Sequence, residues 1–129
     1  MRSLFLLAAL LLAVTVSSSS VASKATNDGK KQRAVMQFTE PVRLQGVLLK
    51  GEYLFIHDDA AMMRGETCTF VYEGNREVAS KLVVSFHCTP TQRSKVNTFT
   101  IRTEQGASGV ELREIQFSGD TESHVVPVK

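Results

Sequence analysis

The segment Thr67-Cys68-Thr69-Phe70-Val71-Tyr72 and its sequel Leu82-Val83-Val84-Ser85-Phe86-His87-Cys88 decide the fold class. Both are rich in β-branched and aromatic residues, the composition that fits a pleated, half-buried surface. Between them Glu73-Gly74-Asn75-Arg76-Glu77 is turn chemistry, so the pair predicts an antiparallel hairpin. Setting Cys68 opposite Cys88 puts Phe70 opposite Phe86 and Tyr72 opposite Val84. Side chains alternate with period two, so these six share one face, while Thr67, Thr69, Val71, Val83, Ser85 and His87 share the other. A one-residue slip would undo the cysteine match and the apolar match together. Opposed Cβ atoms come within about 4.5–5.5 Å, close to what a disulfide needs. Cys68 and Cys88 are the only cysteines, and they lack the C-x-x-C spacing of a thiolate metal or redox motif. The spacing therefore predicts one disulfide, Cys68–Cys88, worth about 3 kcal/mol in the chain-entropy description.

Working outward, the rest of the body also reads as strands and turns. Ala34–Phe38 alternates and ends at Pro41; Val42 and Leu44 restart the pattern and Gly46 breaks it. Val47-Leu48-Leu49 runs into Lys50-Gly51-Glu52, read as a turn. Tyr53-Leu54-Phe55-Ile56 is apolar at every position, the mark of a central strand. Asn97–Thr103 alternates and is followed by the loop Gln105–Gly109. Val110, Leu112, Ile115 and Phe117 then change parity, which predicts a β-bulge near Arg113-Glu114. His124–Val128 is the last strand, pushed toward an edge by Pro127. Only His57–Gly65 departs from this: an Asp able to cap, good helix formers and a closing Gly predict a short helical turn near residues 58–64. The expected fold is all-β, a single antiparallel β-sandwich or small barrel of about seven or eight short strands.

The N-terminus reads as an export signal over residues 1–23. Arg2 is its positive end, Leu4–Val16 its apolar stretch interrupted only by Thr15, and Ser17–Ser23 its small-residue cleavage region. The apolar stretch is shorter than the roughly 20 residues a spanning helix needs. No cysteine precedes Cys68, so no lipid-bearing cysteine follows the cleavage region. Residues 24–33 read as a flexible polar lead-in and 34–129 as a single β domain, exported to the periplasm or the exterior. An oxidising compartment agrees with the disulfide. The ten Lys/Arg and twelve Asp/Glu of residues 34–129 leave that domain at −2, which excludes a nucleic-acid binder relying on bulk charge.

The run Phe38-Thr39-Glu40-Pro41-Val42-Arg43-Leu44-Gln45-Gly46-Val47-Leu48-Leu49-Lys50-Gly51-Glu52-Tyr53 resembles a set of small exported β-proteins of soil acidobacteria. They share a strand, Pro-Val, Gly, Val-Leu and Gly-x-Tyr pattern over residues 34–58. The resemblance implies export and a β fold, and it supplies no catalytic residues.

Chemistry is sought where strand periodicity fails. His57, Asp58, Asp59 and Arg64 gather around the helical turn, and His87 could reach them from the neighbouring hairpin; these five form the candidate binding patch. Within it His57, Asp58 and His87 are candidate ligands for zinc or copper, with Met62 or Met63 adding a thioether suited to copper(I). The structural reading of the same residues is a cap at Asp58, an Arg64–Asp59 ion pair and methionines covering the core. No catalytic residue is assigned. Asp58 and Asp59 are adjacent and would point apart, Ser85 and His87 lack a nucleophile elbow, and no glycine run forms a phosphate cradle. The expected function is a non-catalytic exported binding or envelope-associated module, without cofactor. Its partner would be an envelope protein, a polysaccharide or a small ligand. A periplasmic zinc- or copper-binding protein is the first alternative and a small hydrolase the second.

Overall fold

The computed structural model describes residues 30–129; the expected signal sequence, residues 1–23, and most of the lead-in lie outside that range. The described part is mostly β, with eight strands in one sheet curled into a half-barrel, not two facing layers. The strands are β1 (Lys31–Leu44), β2 (Val47–Asp58), β3 (Thr69–Glu73), β4 (Leu82–Phe86), β5 (Thr89–Gln92), β6 (Thr100–Gly106), β7 (Gly109–Gln116) and β8 (Glu122–Val125). One short helix, α1 (Asp59–Met63), follows β2, and a single 3₁₀ turn (Ala79–Lys81) precedes β4. Among the described residues no helix is long and apolar enough to cross a membrane.

Along the sheet the order is β4-β3-β2-β1-β7-β8-β5, with β6 also paired to β7. The two ends of that order, β4 and β5, are consecutive in the chain and separated only by His87 and Cys88. The three Cα–Cα steps from Phe86 to Thr89 span no more than about 11 Å, so the ends of the sheet must come together and the sheet must curl. Cys88 therefore sits at the seam.

The hairpin β1–β2 is the longest element. Its turn is Gln45-Gly46, both with positive φ (50° and 81°), the two-residue geometry whose twist matches that of the strands. Pro41 does not end β1 and Lys50-Gly51-Glu52 is not a turn. The register shifts between Phe38, which pairs with Gly51, and Val42, which pairs with Leu49, so Pro41 sits in an irregularity that begins beside Gly51, whose φ of 97° suits glycine. The sheet also begins at Lys31, so the last three residues of the expected lead-in are paired strand, against His57, Asp58 and Ile56. The parity change in β7 is a bulge as expected. Arg102 faces Glu114 and Thr103 faces Leu112, leaving Arg113 unpaired and letting Leu112, Ile115 and Phe117 all enter the core. The last strand lies two residues earlier than expected, at Glu122–Val125.

The β3–β4 hairpin forms, but one residue out of the expected register. Thr69 faces Phe86, Phe70 faces Ser85 and Val71 faces Val84, before a further shift brings Tyr72 against Leu82. The cause is that β2 and β3 are covered on both sides. Val71 joins the main core with Phe38, Leu44, Leu49, Phe55 and Phe86, whereas Leu54, Ile56 and Tyr72, with Phe70 against them, form a second apolar cluster. Either parity buries apolar side chains, so alternation could not choose between them.

Candidate metal centre

β2 delivers His57 to the core face, because Leu49, Tyr53, Phe55 and His57 share that face. The chain then turns into α1. Asp58 caps it as expected: its backbone is extended (φ −117°, ψ 104°) and Oδ1 accepts from the Ala61 N–H at 3.2 Å. Gly65, at φ 75°, closes the turn. This short helix packs Met62 against the core and leaves Met63 in solvent.

At the seam Cys88 meets what β2, α1 and β8 bring. Its Sγ lies 3.3 Å from His57 Nε2, 3.7 Å from Met62 Sδ and 3.0 Å from Cys68 Sγ. His124, from β8, stacks on His57 with ring centroids 3.8 Å apart. One ligand atom each from His57, Cys88 and His124 fall within 4.8 Å of one another, and all three residues are buried. Asp59 Oδ1 stands 3.0 Å from His57 Nδ1, at hydrogen-bond distance but not at hydrogen-bond angle. Both ring nitrogens of His124 are buried without a partner.

Both cysteines are free thiols in the structure, fully buried, with Cys68 also accepting from the Cys88 backbone N–H at 3.2 Å. The hydrogen bond between the two sulfurs draws the Cys68 thiol down to about 4 and pushes the Cys88 thiol up, so the two titrate as a coupled pair. Burial, and then the neighbouring His57, lowers His124 from 6.5 to about 4. It is therefore a neutral imidazole at physiological pH, the form that ligates metals.

Of the residues expected in the patch, the structure brings His57 and Asp59 together and leaves the others out. Asp58 is occupied as the cap. Arg64 pairs with Glu66 at 3.0 Å, not with Asp59, and both partners are more than half exposed. His87 is exposed and points its Nδ1 at the Glu66 carbonyl, 2.8 Å away. That nitrogen also stands 3.9 Å from Cys68 Sγ, but His87 is not among the donors that close on one another around Cys88, which are His57 and His124. The missed residues are His124 and the thiol of Cys88 as a free donor. His124 carries no local signal, since only the curl of the sheet brings β8 against the end of β2, with two strands between them in the order.

The donors fit a transition metal. Tetrahedral ligands about 2.0–2.3 Å from an ion lie roughly 3.3–3.8 Å from each other, which matches Cys88–His57 and Cys88–Met62. The Cys68–Cys88 separation is shorter than two thiolates on one ion require, so Cys68 is the partner of Cys88 and not a fellow ligand. The chain Cys88–His57–Asp59 also has the order of a nucleophile, base and orienting carboxylate. Cys88 and His57 are wholly buried, however. Two surface pockets, one beside Arg43, Gln45 and Pro127 and one beside Lys31, Ile56 and Tyr72, both lie away from Cys88. Neither pocket is lined by Cys88 or His57.

Comparison with family models, curated proteins and solved structures finds no match.

Proposed function

We propose that this protein is a non-catalytic transition-metal-binding β-domain, with His57, Cys88 and His124 as ligands and Met62 beside them. One observation carries the reading: a fully buried histidine, His124, whose two ring nitrogens have no partner, set against a second buried imidazole and a thiol. An unpaired buried polar group costs about 1–3 kcal/mol, and an ion held there would remove that cost. Imidazole, thiolate and thioether together select zinc or copper and disfavour magnesium or calcium. The centre works only with Cys88 reduced. Bonded to Cys68, Cys88 has no thiolate to give, so the expected disulfide and the metal centre are alternative states of one pair. In an exported protein, the redox poise of the surroundings decides between them.

The test is a cobalt(II) titration of the reduced full chain. An intense thiolate-to-cobalt absorption band should grow and saturate at one ion per chain in the sulfur-containing site. Cys88→Ser and His124→Ala should abolish the band, His87→Ala should keep it, and prior oxidation to the Cys68–Cys88 disulfide should prevent it. A reduced wild type that takes up neither cobalt nor zinc refutes the proposal.

A further inference from the structure

The ligands of the inner centre do not exhaust the donors at this corner. Asp59, the first residue of α1, and Glu122, the first residue of β8, both approach His124. One ligand atom from each of Asp59, Glu122 and His124 lie within 4.8 Å of one another. The two carboxylates are half-buried and face each other, an arrangement of like charges that costs free energy unless a cation sits between them. Protein cations do not fill that place. Among the described residues Glu122 has no ion pair, and Lys30, whose charge reaches both carboxylates, bonds to Asp120 Oδ1 at 2.9 Å. Asp120 is further tied to Gln32 Nε2 at 2.6 Å, which fixes this pairing.

Two independent observations point to a ligand here and not only to an acidic surface. Asp59 Oδ1 is a buried carboxylate oxygen without a hydrogen-bond partner, and His124 is fully buried with both nitrogens unpartnered. A neutral imidazole keeps a proton on one ring nitrogen and offers a lone pair at the other, so His124 can serve the inner sulfur-containing set or an outer one, one ion at a time.

We propose that Asp59, Glu122 and His124 form a second, outer cation site that takes a hard divalent ion of the manganese(II) class. Two carboxylate oxygens and one imidazole nitrogen are donors such an ion accepts, and the half-exposed carboxylates leave room for water to complete its coordination. The imidazole favours manganese over calcium or magnesium. The two sites differ in softness: the inner one offers sulfur, the outer one oxygen. This inference rests on the metal-binding reading only through the shared residue, His124.

Separating the two requires two metals and two variants of the full, reduced chain. Manganese(II) binding is followed by loss of the free-ion paramagnetic resonance signal, and the inner site by the cobalt–thiolate band. Manganese should bind to wild type and equally to Cys88→Ser. Glu122→Gln should weaken it by at least the roughly 10–100-fold that loss of even an outer-shell partner costs, while keeping the cobalt band. Asp59→Asn should weaken manganese similarly and serves as the second variant if Glu122→Gln folds poorly. Absence of manganese binding in wild type, unchanged binding in both carboxylate variants, or loss of both signals together in a folded Glu122→Gln each overturns the proposal. Manganese binding that follows Glu122 in a protein lacking the cobalt band leaves the outer site standing and removes the inner one.

Discussion

Two clusters of buried polar side chains flank the β7–β8 ladder, and they are built in opposite ways. Around Glu114 every group is matched. Its carboxylate receives Arg93 through Nε and Nη2 at 2.8 and 2.9 Å and Arg102 Nη1 at 3.3 Å. Arg102 Nη2 reaches Gln116 Oε1 at 2.8 Å, Gln116 Nε2 gives to the Ser94 and Asp120 carbonyls, and Ser123 Oγ gives to the Ile115 carbonyl. One residue along the ladder, where Ile115 pairs with His124, the matching stops. His57 Nδ1, Asp59 Oδ1 and both nitrogens of His124 are buried with nothing bonded to them. Burial of polar groups is thus common to both clusters and marks neither as functional. The difference is satisfaction. A closed network holds the sheet, whereas the open one, two imidazoles beside a thiol, leaves buried polar atoms unmatched, which is what the proposed ion would answer.

The largest expected effect bears on the open cluster. Zinc at a thousandfold over its dissociation constant should stabilise the reduced protein by about 4 kcal/mol, read as a rise in melting temperature. His57→Ala and His124→Ala should each cancel the rise, and Glu114→Gln should keep it from a lower starting point. A rise that survives both histidine variants would place the ion elsewhere and break the contrast.

Next in size is the closed cluster. Glu114→Gln should cost about 2 kcal/mol at neutral pH, in the range for hydrogen bonds to a charged group. The hydrogen bond from Arg93 holds the Glu114 carboxyl below its ordinary value despite burial. A depressed carboxyl contributes stability above its unfolded pKa, about 4.3, and loses it as pH falls through the lower folded value. The gap between wild type and Glu114→Gln in urea unfolding should therefore be widest near neutrality and close in acid. A gap independent of pH would mean that packing, not charge, is what the variant removes.

The smallest effect tests the element between them. Asp58→Ala removes the cap of α1 and should cost about 1 kcal/mol in chemical denaturation, with or without metal. A cost that appears only with zinc present would move Asp58 from cap to ligand.

Local chemistry was legible in the sequence where one segment decides the outcome. The capped turn after His57, the bulge at Arg113, the β3–β4 hairpin and the nearness of Cys68 to Cys88 all follow from neighbouring residues. The hairpin register was not legible, because Phe70 and Tyr72 find an apolar cluster on one side of the sheet and Val71 finds the main core on the other. Pro41 and Gly51 read separately as chain breaks; only pairing the two strands reveals them as one irregularity. For the site, His57 and Asp59 were legible from the failure of strand periodicity. His87 was read as a partner, but its ring turns outward to the Glu66 carbonyl beside Cys68, and His124 was invisible because nothing near it in the chain announces which strand end it will meet.

The seam at His87-Cys88 has a consequence for the order in which the molecule assembles. The β1–β2 hairpin is closed by a two-residue turn and needs only neighbouring chain to form. The centre needs His57 from the far end of that hairpin, Cys88 from the junction and His124 from the last strand, a set spread over most of the described chain. Contacts of such long sequence separation are slow to form. Metal capture at the proposed centre would then be a late event that reports a finished fold.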